Sequence, residues 1–377
     1  MTATTALRPG AYRYRFAPDA ATAMVWMGPG RPFEAVAVLD IDFGPRDVLV
    51  EVELATVCGS DVHTIDARRP SPHPSVLGHE YVGRVVGAGV DARYADGTRV
   101  QLRDRVVWSV TVSCGLCPTC RRGIPQKCAE LRKYGHERFD GEWPLSGGFA
   151  SHVHLREGTA IVKVPEHVAA EALAPVACGV ATAAAAVAAA EQLHDLDDAT
   201  VLVSGAGLIG LAAAAIASGA GARVVVVDPV AERRELALRF GAAETVDPGR
   251  GAAARTVAAA CDGGAPDVVI EASGSRRGVE LALAAPAVGG TAVLVGSVFP
   301  DDPVGLDPER VVRGLLMIRG VHNYTAADLA RAVRFVTASE RRMPWAELVG
   351  ATVPLADLPR AVALAQTGRH VRVGVRP

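Results

Sequence analysis

The chain has 377 residues, 50% hydrophobic and 21% charged, with a formal net charge of -2. That balance suits a globular chain able to bury a large core and excludes a disordered or fibrous one. Near-neutral charge without a basic run argues against nucleic acid as the main partner, because phosphate binding wants clustered cations. No apolar run of about 18 residues occurs and "MTATTALRPGAYRYRF" has no apolar segment, so neither a membrane span nor a secretory signal is expected, and the cytoplasm is the expected compartment.

Taken in chain order, the residues before Met24 read as an irregular extension. From about 25 to 110, alternating runs such as "DVLVEVELATV" and "GRVVGAGV" predict strands joined by tight turns, hence a compact β-rich domain. Next comes "CGLCPTCRRGIPQKC", which places Cys114, Cys117, Cys120 and Cys128 in fifteen residues of a chain with 7 cysteines. In a reducing compartment such crowding favours metal over disulfides, and four thiolates close a tetrahedral zinc shell with no open position, which makes the site structural. Ferredoxin cluster runs also begin C-x2-C-x2-C, but they continue x3-C-P, whereas this loop continues x7-C-A.

Residues 170–192 form an alanine-dense helical stretch leading out of the first domain. Beyond it, "ATVLVSGAGLIGLAAAAIASGAGARVVVVD" reads as buried strand, glycine turn, small-residue helix, buried strand and acid. Further apolar strands alternate with helical text, so an α/β fold with a doubly wound parallel sheet is predicted, and the tail from Pro344 turns strand-like again. In the turn, Gly205 permits the tight bend, Gly207 lets a pyrophosphate approach the backbone past Leu208 and Ile209, and Gly210 lets helix pack on strand. Asp228 stands where a carboxylate accepts both adenosine ribose hydroxyls, which favours NAD over NADP, whose 2'-phosphate would meet a like charge. Nearby, Arg233 is the residue able to reverse that preference. A bare GxGxxG could equally start a helix in a cofactor-free protein; here the strand, helix, second strand and acid all accompany it.

Cys58 in "CGSDVH", His79 in "GHE" and Cys178 in "ACG" each have a bland reading as a buried small hydrophobe or a satisfied core histidine. Together they match the Cys2His donor set, with a vacant fourth position, of catalytic zinc in alcohol dehydrogenases. With the four-cysteine loop and the glycine turn in the same order and approximate spacing, the chain resembles, over nearly its full length, a zinc-dependent medium-chain dehydrogenase of the alcohol dehydrogenase superfamily. The resemblance implies a GroES-like catalytic domain (residues 1–184 and 343–377) split around a Rossmann domain (185–342), with substrate in the cleft between them, and a homodimer or homotetramer.

It also implies residue roles. Cys58, His79 and Cys178 match the ligands of a catalytic zinc, Ser60 the hydroxyl that hydrogen-bonds the substrate oxygen, and His63 the histidine continuing the proton relay. Asp61 matches the carboxylate that orients the ligand histidine and fixes its tautomer, and Glu80 an acid behind the metal. Thr182 matches a residue near the nicotinamide carboxamide, Arg233 one at the adenosine ribose and Arg372 one at the pyrophosphate. The implied reaction is hydride transfer between an alcohol, or its aldehyde or ketone, and NAD, with two Zn²⁺ per chain, one catalytic and one structural.

Polyol dehydrogenases of the superfamily often carry glutamate where this chain has Ala174 or Ser151, and lack a counterpart of Cys178; retaining Cys178 resembles the thiolate-rich alcohol dehydrogenase type. Gly59, where some relatives of that type have a basic residue, leaves one pyrophosphate contact open, and Cys261 reads as a core thiol. "LRKYGHE" and "PLSGGFASH" resemble a subgroup associated with phosphonate metabolism, which makes a hydroxyphosphonate an alternative substrate beside cyclitols, polyols and simple alcohols. Physically, Arg132, Lys133 and His136 can complement an anion, although such residues after a metal loop commonly face solvent. Two other classes stand as rivals: a non-catalytic zinc or nucleotide-binding module, opposed by Ser60 and His63, and a zinc-free reductase, opposed by the intact ligand set.

Overall fold

The computed structural model of the chain describes residues 8, 10–249, 253–299 and 302–377. They form two compact units: the chain up to Cys178 together with Thr325–Glu340 and Trp345–Pro377, and Gly179–Tyr324 together with Arg341–Pro344.

In the first unit, valine-rich stretches build an eight-stranded sheet whose path runs Thr159–Lys163, Arg105–Val112, Tyr81–Ala88, Val48–Val57, Arg372–Arg376 and Val349–Pro354. Alternation sends one face of each strand into a core where Tyr81 stacks on Trp108, ring centroids 3.8 Å apart, and every residue of Arg105–Val112 is buried. The last strand pairs antiparallel with Val48–Val57, Val373 opposite Val57, so the strand-like tail returns to this unit.

Three features depart from the sequence reading. Tyr12–Arg15, expected to be irregular, pairs antiparallel with Asp40–Phe43, held by the Tyr12 ring edge-on and the Tyr14 ring tilted against Phe43. The alanine-dense stretch is not one helix: Pro175, lacking an N–H, falls in a 3-10 turn (Ala174–Ala177) between Ala170–Leu173 and Gly179–Glu191, and that break presents Cys178. Unit boundaries also differ from residues 185 and 343. Helix Gly179–Glu191 packs mainly on helix Leu208–Gly219 of the second unit, while Ala326–Ser339 packs on strands Thr159–Lys163 and Arg105–Val112 of the first. Its buried stripe, Leu329, Val333 and Val336, has helical spacing and suits that sheet.

A buried charge cluster fastens the edge of the first unit. Asp47, 1% exposed, accepts hydrogen bonds from the His154 ring (2.9 Å), from the Gly44 and Glu157 N–H groups (2.7 and 3.2 Å) and from Arg8. Burial alone would raise the Asp47 carboxyl; His154, Arg8 and Gly44 outweigh it and hold the group well below the usual carboxylate range. Burial lowers the fully buried His154, with Asp47 opposing.

Both shifts have the same sign of linkage. A depressed carboxylate and a depressed imidazole each bind fewer protons folded than unfolded, so stability falls as pH falls. We expect a first loss below pH ~6.5, as unfolded chains protonate His154, and a second below pH ~4 from Asp47. Asp47→Asn should abolish the second step and cost about 2 kcal/mol, below the range for a fully buried pair because Arg8 is a third exposed. Denaturant titrations at a series of pH values check this; an unchanged lower step would refute it.

In the second unit, six parallel strands run in the order Glu244–Val246, Arg223–Val227, Thr200–Ser204, Val268–Glu271, Thr291–Leu294 and Met317–Gly320. Val224, Val225, Val226, Val268 and Val269 are fully buried, as a sheet covered on both faces requires. Strand order reverses at Thr200–Ser204, the crevice at which such sheets bind ligands beyond the strands' carboxyl ends. Small residues set the spacing of the covering helices: a Cβ on Gly179 would lie 2.3 Å from Leu208.

Candidate active site and metal centres

Cys58 ends strand Val48–Val57 and caps helix Gly59–Ile65, whose third residue, Asp61, accepts a 2.9 Å hydrogen bond from the Cys58 N–H. Fully buried Asp61 also accepts from Gly78 N–H at 3.3 Å and lies 3.4 Å from His79 Nδ1. One carboxylate thus ties the helix start to the histidine segment and turns His79 Nε2 the other way. Gly78 makes the approach possible: its φ is +90°, and a Cβ there would lie 2.8 Å from the Phe149 ring. The Ser60 hydroxyl stands 3.1 Å from His79 Nε2, and His63 follows one turn along the same helix. The donor atoms of Cys58, His79 and Cys178 all lie within 4.8 Å of one another.

Those three donors fit a metal chemically. A hydrogen bond from Cys178 lowers the Cys58 thiol far below its ordinary range, with Arg372 assisting, and the same bond raises Cys178. A thiol pair in which one partner favours the thiolate suits a cation, since Zn²⁺ binds thiolates and would displace the proton between them. Burial opposes charge on His79, but Asp61 and Cys58 outweigh it and raise its affinity for a proton, hence for a cation. Burial also lowers His63, with Arg68 adding to it.

Behind the trio, Glu80 accepts bonds from Arg372 Nε and Nη2 at 2.6 and 2.8 Å and from the Thr56 hydroxyl at 2.6 Å. Burial pushes the Glu80 carboxyl up to about 7 against the pull of Arg372. Arg372 Nη2 also donates to Cys58 Sγ at 3.6 Å and Nη1 to the Val371 carbonyl at 2.8 Å. The guanidinium expected at a pyrophosphate therefore has all three nitrogens engaged inside the first unit, against the acid and the thiol.

The four-cysteine loop also fits. Its four Sγ atoms lie within 4.8 Å of one another, and the cysteines are free of disulfides. Backbone N–H groups of Leu116 and Cys117 aim at Cys114 Sγ (3.5 and 3.4 Å), and those of Cys114 and Glu130 at Cys128 Sγ (both 3.3 Å), as thiolates require. The Thr119 hydroxyl and the Ala129 N–H pull the Cys117 thiol down to about 5.

In the second unit, Gly205 (φ +98°) makes the bend after strand Thr200–Ser204, and helix Leu208–Gly219 begins after Gly207 with Leu208 and Ile209. Asp228, 4% exposed, accepts from Ala206 N–H at 2.7 Å and from Val230 N–H at 2.9 Å, so the acid braces the turn. Arg233 is half-buried on helix Ala231–Arg239, and Thr182 is buried on helix Gly179–Glu191. The glycines differ sharply. A Cβ on Gly210 would lie 1.8 Å from the Gly205 carbonyl oxygen, whereas one on Gly207 would meet nothing within 4 Å. Gly210→Ala should therefore cost about 3 kcal/mol of stability. Gly207→Ala should melt like the parent yet weaken dinucleotide binding at least about tenfold, since only a bound pyrophosphate needs that space. Thermal melts beside nucleotide titrations separate the two, and equal effects would refute the distinction.

Residues 44–166 match the alcohol dehydrogenase GroES-like domain and residues 209–338 the zinc-binding dehydrogenase family. An L-threonine 3-dehydrogenase from Vibrio parahaemolyticus is 30% identical over 303 residues, 78% of this chain and 82% of that protein. An alcohol dehydrogenase structure from Thermotoga maritima superposes with a TM-score of 0.88 at 28% identity, covering 95% of this chain and 99% of that one. A structure from Sinorhizobium meliloti 1021 with NADP bound gives 0.84 at 27% identity, covering 95% of this chain and all of that one. The chain belongs to the zinc-binding medium-chain dehydrogenases. It is thus an oxidoreductase of CH-OH groups in small molecules, with zinc and a nicotinamide cofactor. Among the described residues no single helix is long and apolar enough to cross a membrane.

Sequence reasoning missed two residues of this dehydrogenase that the structure brings forward. Glu271, fully buried at the end of strand Val268–Glu271, accepts from Ser273 N–H and hydroxyl (both 2.8 Å), Gly274 N–H (2.7 Å), Gly296 N–H (3.2 Å) and the Ser297 hydroxyl (3.3 Å). It ties together the loops after two adjacent strands. The signal was present: "DVVIE" ends an apolar run on an acid as "VVVVD" does. Arg234, neighbour of the expected Arg233, donates to the Asp228 carbonyl at 2.7 Å and pairs with Asp247 at 3.5 Å. Side-chain direction on a helix separates two adjacent arginines that composition cannot.

Proposed function

We propose that the protein is an NAD-preferring alcohol dehydrogenase carrying two Zn²⁺ per chain, a catalytic ion on Cys58, His79 and Cys178 and a structural ion on Cys114, Cys117, Cys120 and Cys128. The observation that carries this reading is the contrast between two clustered donor sets, one with four thiols and one with three donors beside a serine hydroxyl. Three protein ligands leave a position for a substrate oxygen, and four do not. Bound there, Zn²⁺ supplies the Lewis acidity that lowers an alcohol's pKa towards neutrality, and the nicotinamide accepts hydride.

The chain's own groups do the rest. Ser60 takes the substrate hydroxyl proton and His63 passes it on, a neutral imidazole being the form that burial favours. Asp61 fixes the tautomer and direction of His79, and Glu80, neutralised by Arg372, completes the wall behind the metal. Gly205, Gly207, Leu208, Ile209 and Gly210 cradle the pyrophosphate. Asp228 and Arg233 hold the adenosine ribose, and Thr182 the carboxamide. Assembly is as a homodimer or homotetramer.

Metal analysis by mass spectrometry should give two zinc ions per chain in the parent and one in Cys178→Ala, with NADH formation lost. Full activity of that variant, or one zinc in the parent, would sink the assignment. Ser60→Ala should lower kcat about 10²-fold or more with metal content intact. Asp228→Ala should move the NAD/NADP ratio of kcat/KM at least about tenfold towards NADP; an unchanged ratio would remove the acid from cofactor selection.

A further inference from the structure

Two stretches of the chain read Gly-His-Glu: "LGHE" at 77–80, which supplies the proposed metal donor His79, and "YGHE" at 134–137, whose histidine the dehydrogenase reading leaves without a role. The fold sets them back to back. Both glycines have positive φ, +90° at Gly78 and +76° at Gly135, and a Cβ on Gly135 would lie 2.8 Å from the Gly78 carbonyl oxygen and 3.2 Å from the Gly78 nitrogen. Glycine alone permits so close an approach of two backbones. Each stretch is anchored by an arginine on its glutamate, Arg372 on Glu80 and Arg132 on Glu137, and the Gly135 N–H donates to the Ser146 carbonyl at 2.8 Å. As a result the His136 and His79 rings pack on each other, centroids 5.1 Å apart and planes 34° from parallel.

His79 needs a contact of that kind. A cysteine sulfur is placed by one torsion, whereas an imidazole has a second, broad one that leaves its tilt weakly determined. At the ring's edges, Asp61 lies 3.4 Å from Nδ1, beyond good hydrogen-bond length, and the Ser60 hydroxyl stands 3.1 Å from Nε2. The single lone pair of Nε2 can serve the hydroxyl or a cation, but not both. Once a cation takes it, the long Asp61 contact sets the tautomer and the edge that faces the acid without setting the tilt. Tilt is set on a ring's face, and His136 occupies one face of His79.

The His136 ring is itself held. Arg69 Nη2 donates to its Nδ1 at 2.9 Å, Arg69 Nε donates to the Thr64 hydroxyl at 2.8 Å, and Thr64 donates to the Ser60 carbonyl at 2.9 Å. These bonds tie the ring to helix Gly59–Ile65, which carries Ser60 and which Cys58 caps. A circuit closes through Ser60, Thr64, Arg69, His136 and His79. His136 is not among the donors that lie within 4.8 Å of one another in the Cys58, His79 and Cys178 set, so its route to the site is through His79.

We propose that His136 is a positioning residue for the metal donor His79, its ring setting the tilt of the His79 imidazole. This rests on the metal assignment proposed above and deepens it. The effect belongs to one flat ring lying on another, so an aromatic substitute keeps it and an aliphatic one loses it.

The test compares the parent, His136→Ala and His136→Phe, each loaded with zinc or with cobalt. Zinc release to the chelator 4-(2-pyridylazo)resorcinol is followed by absorbance, and Cys178→Ala identifies the phase that belongs to the Cys58, His79 and Cys178 set. We expect that phase to quicken at least about tenfold in His136→Ala and to stay within about threefold of the parent in His136→Phe, the size usual for residues that orient a metal ligand. The phase of the four-cysteine loop should be unchanged in both. At full occupancy the visible bands of Co²⁺, which report ligand geometry, should shift in His136→Ala and return in His136→Phe. Should His136→Ala fail to fold, His136→Leu takes its place, with the same expectation. A residue that only stabilises the fold would quicken both phases together and leave the bands in place, which overturns the proposal. Equal losses in His136→Phe and His136→Ala, or no change in His136→Ala, overturn it too. If the parent has no phase that Cys178→Ala removes, the metal assignment falls and takes the role of His136 with it.

Discussion

The ion pair between Glu80 and Arg372 closes the first unit around its reactive cysteine. The two residues stand 292 positions apart, and the whole second unit lies between them in sequence. Neither charge is tolerable in the core alone, since withdrawing an ion from water costs several kcal/mol unless its partner and its remaining hydrogen bonds are in place. Here they are: two bonds between carboxylate and guanidinium, the Thr56 hydroxyl on the same carboxylate, and Cys58 Sγ on the guanidinium. Sheet register enforces the meeting, because Val373 pairs with Val57 and so places Arg372 beside Cys58. The electrostatics of the trio thus become complete only when the tail returns to the sheet. A burial that would weaken a fold if half made instead commits the C-terminal strand to one register.

The two donor clusters proposed as metal sites are assembled in opposite ways. Cys114, Cys117, Cys120 and Cys128 come from one loop of fifteen residues, folded by a short helix, a 3-10 turn and N–H bonds to sulfur within the loop. Little chain entropy is lost in bringing such close residues together. Cys58, His79 and Cys178 span more than a hundred residues and meet only through the helix cap, the left-handed Gly78 and the break at Pro175. The local cluster needs only its own loop to form. The long-range one depends on the finished sheet.

That contrast also governs what was legible in the sequence. The local loop could be read outright from spacing, and so could the glycine turn, because each motif's chemistry lies within one stretch of chain. Cys58, His79 and Cys178 gave no individual signal and were recognisable only as a set beside those motifs. Arg69, whose Nη2 lies 2.9 Å from Nδ1 of the His136 ring that packs on His79, gave none, since proximity across 67 residues has no period. Tyr12–Arg15 is too short and too polar to show alternation, and its partner strand supplies its order. Helix Ala326–Ser339 was legible as a helix but not as a member of the first unit, because an apolar stripe does not state which sheet it will cover.

Asp228 and Glu271 show how one local device yields two outcomes. Each is an acid ending a buried parallel strand, and each accepts backbone N–H groups from the loop that follows or faces it. Glu271 has five donors and no exposure, so its carboxylate is fully hydrogen-bonded within the protein and serves to hold the Ser273–Gly274 and Gly296–Ser297 loops against each other. Asp228 accepts from the Ala206 and Val230 N–H groups and keeps a sliver of surface. A carboxylate offers about four lone-pair positions, so Asp228 retains acceptor capacity that Glu271 has exhausted. The difference between the two acids is therefore one of remaining valence: the same residue chemistry at the same place on a strand is saturated in one case and keeps room for a further donor in the other, which is what the proposed ribose contact of Asp228 requires.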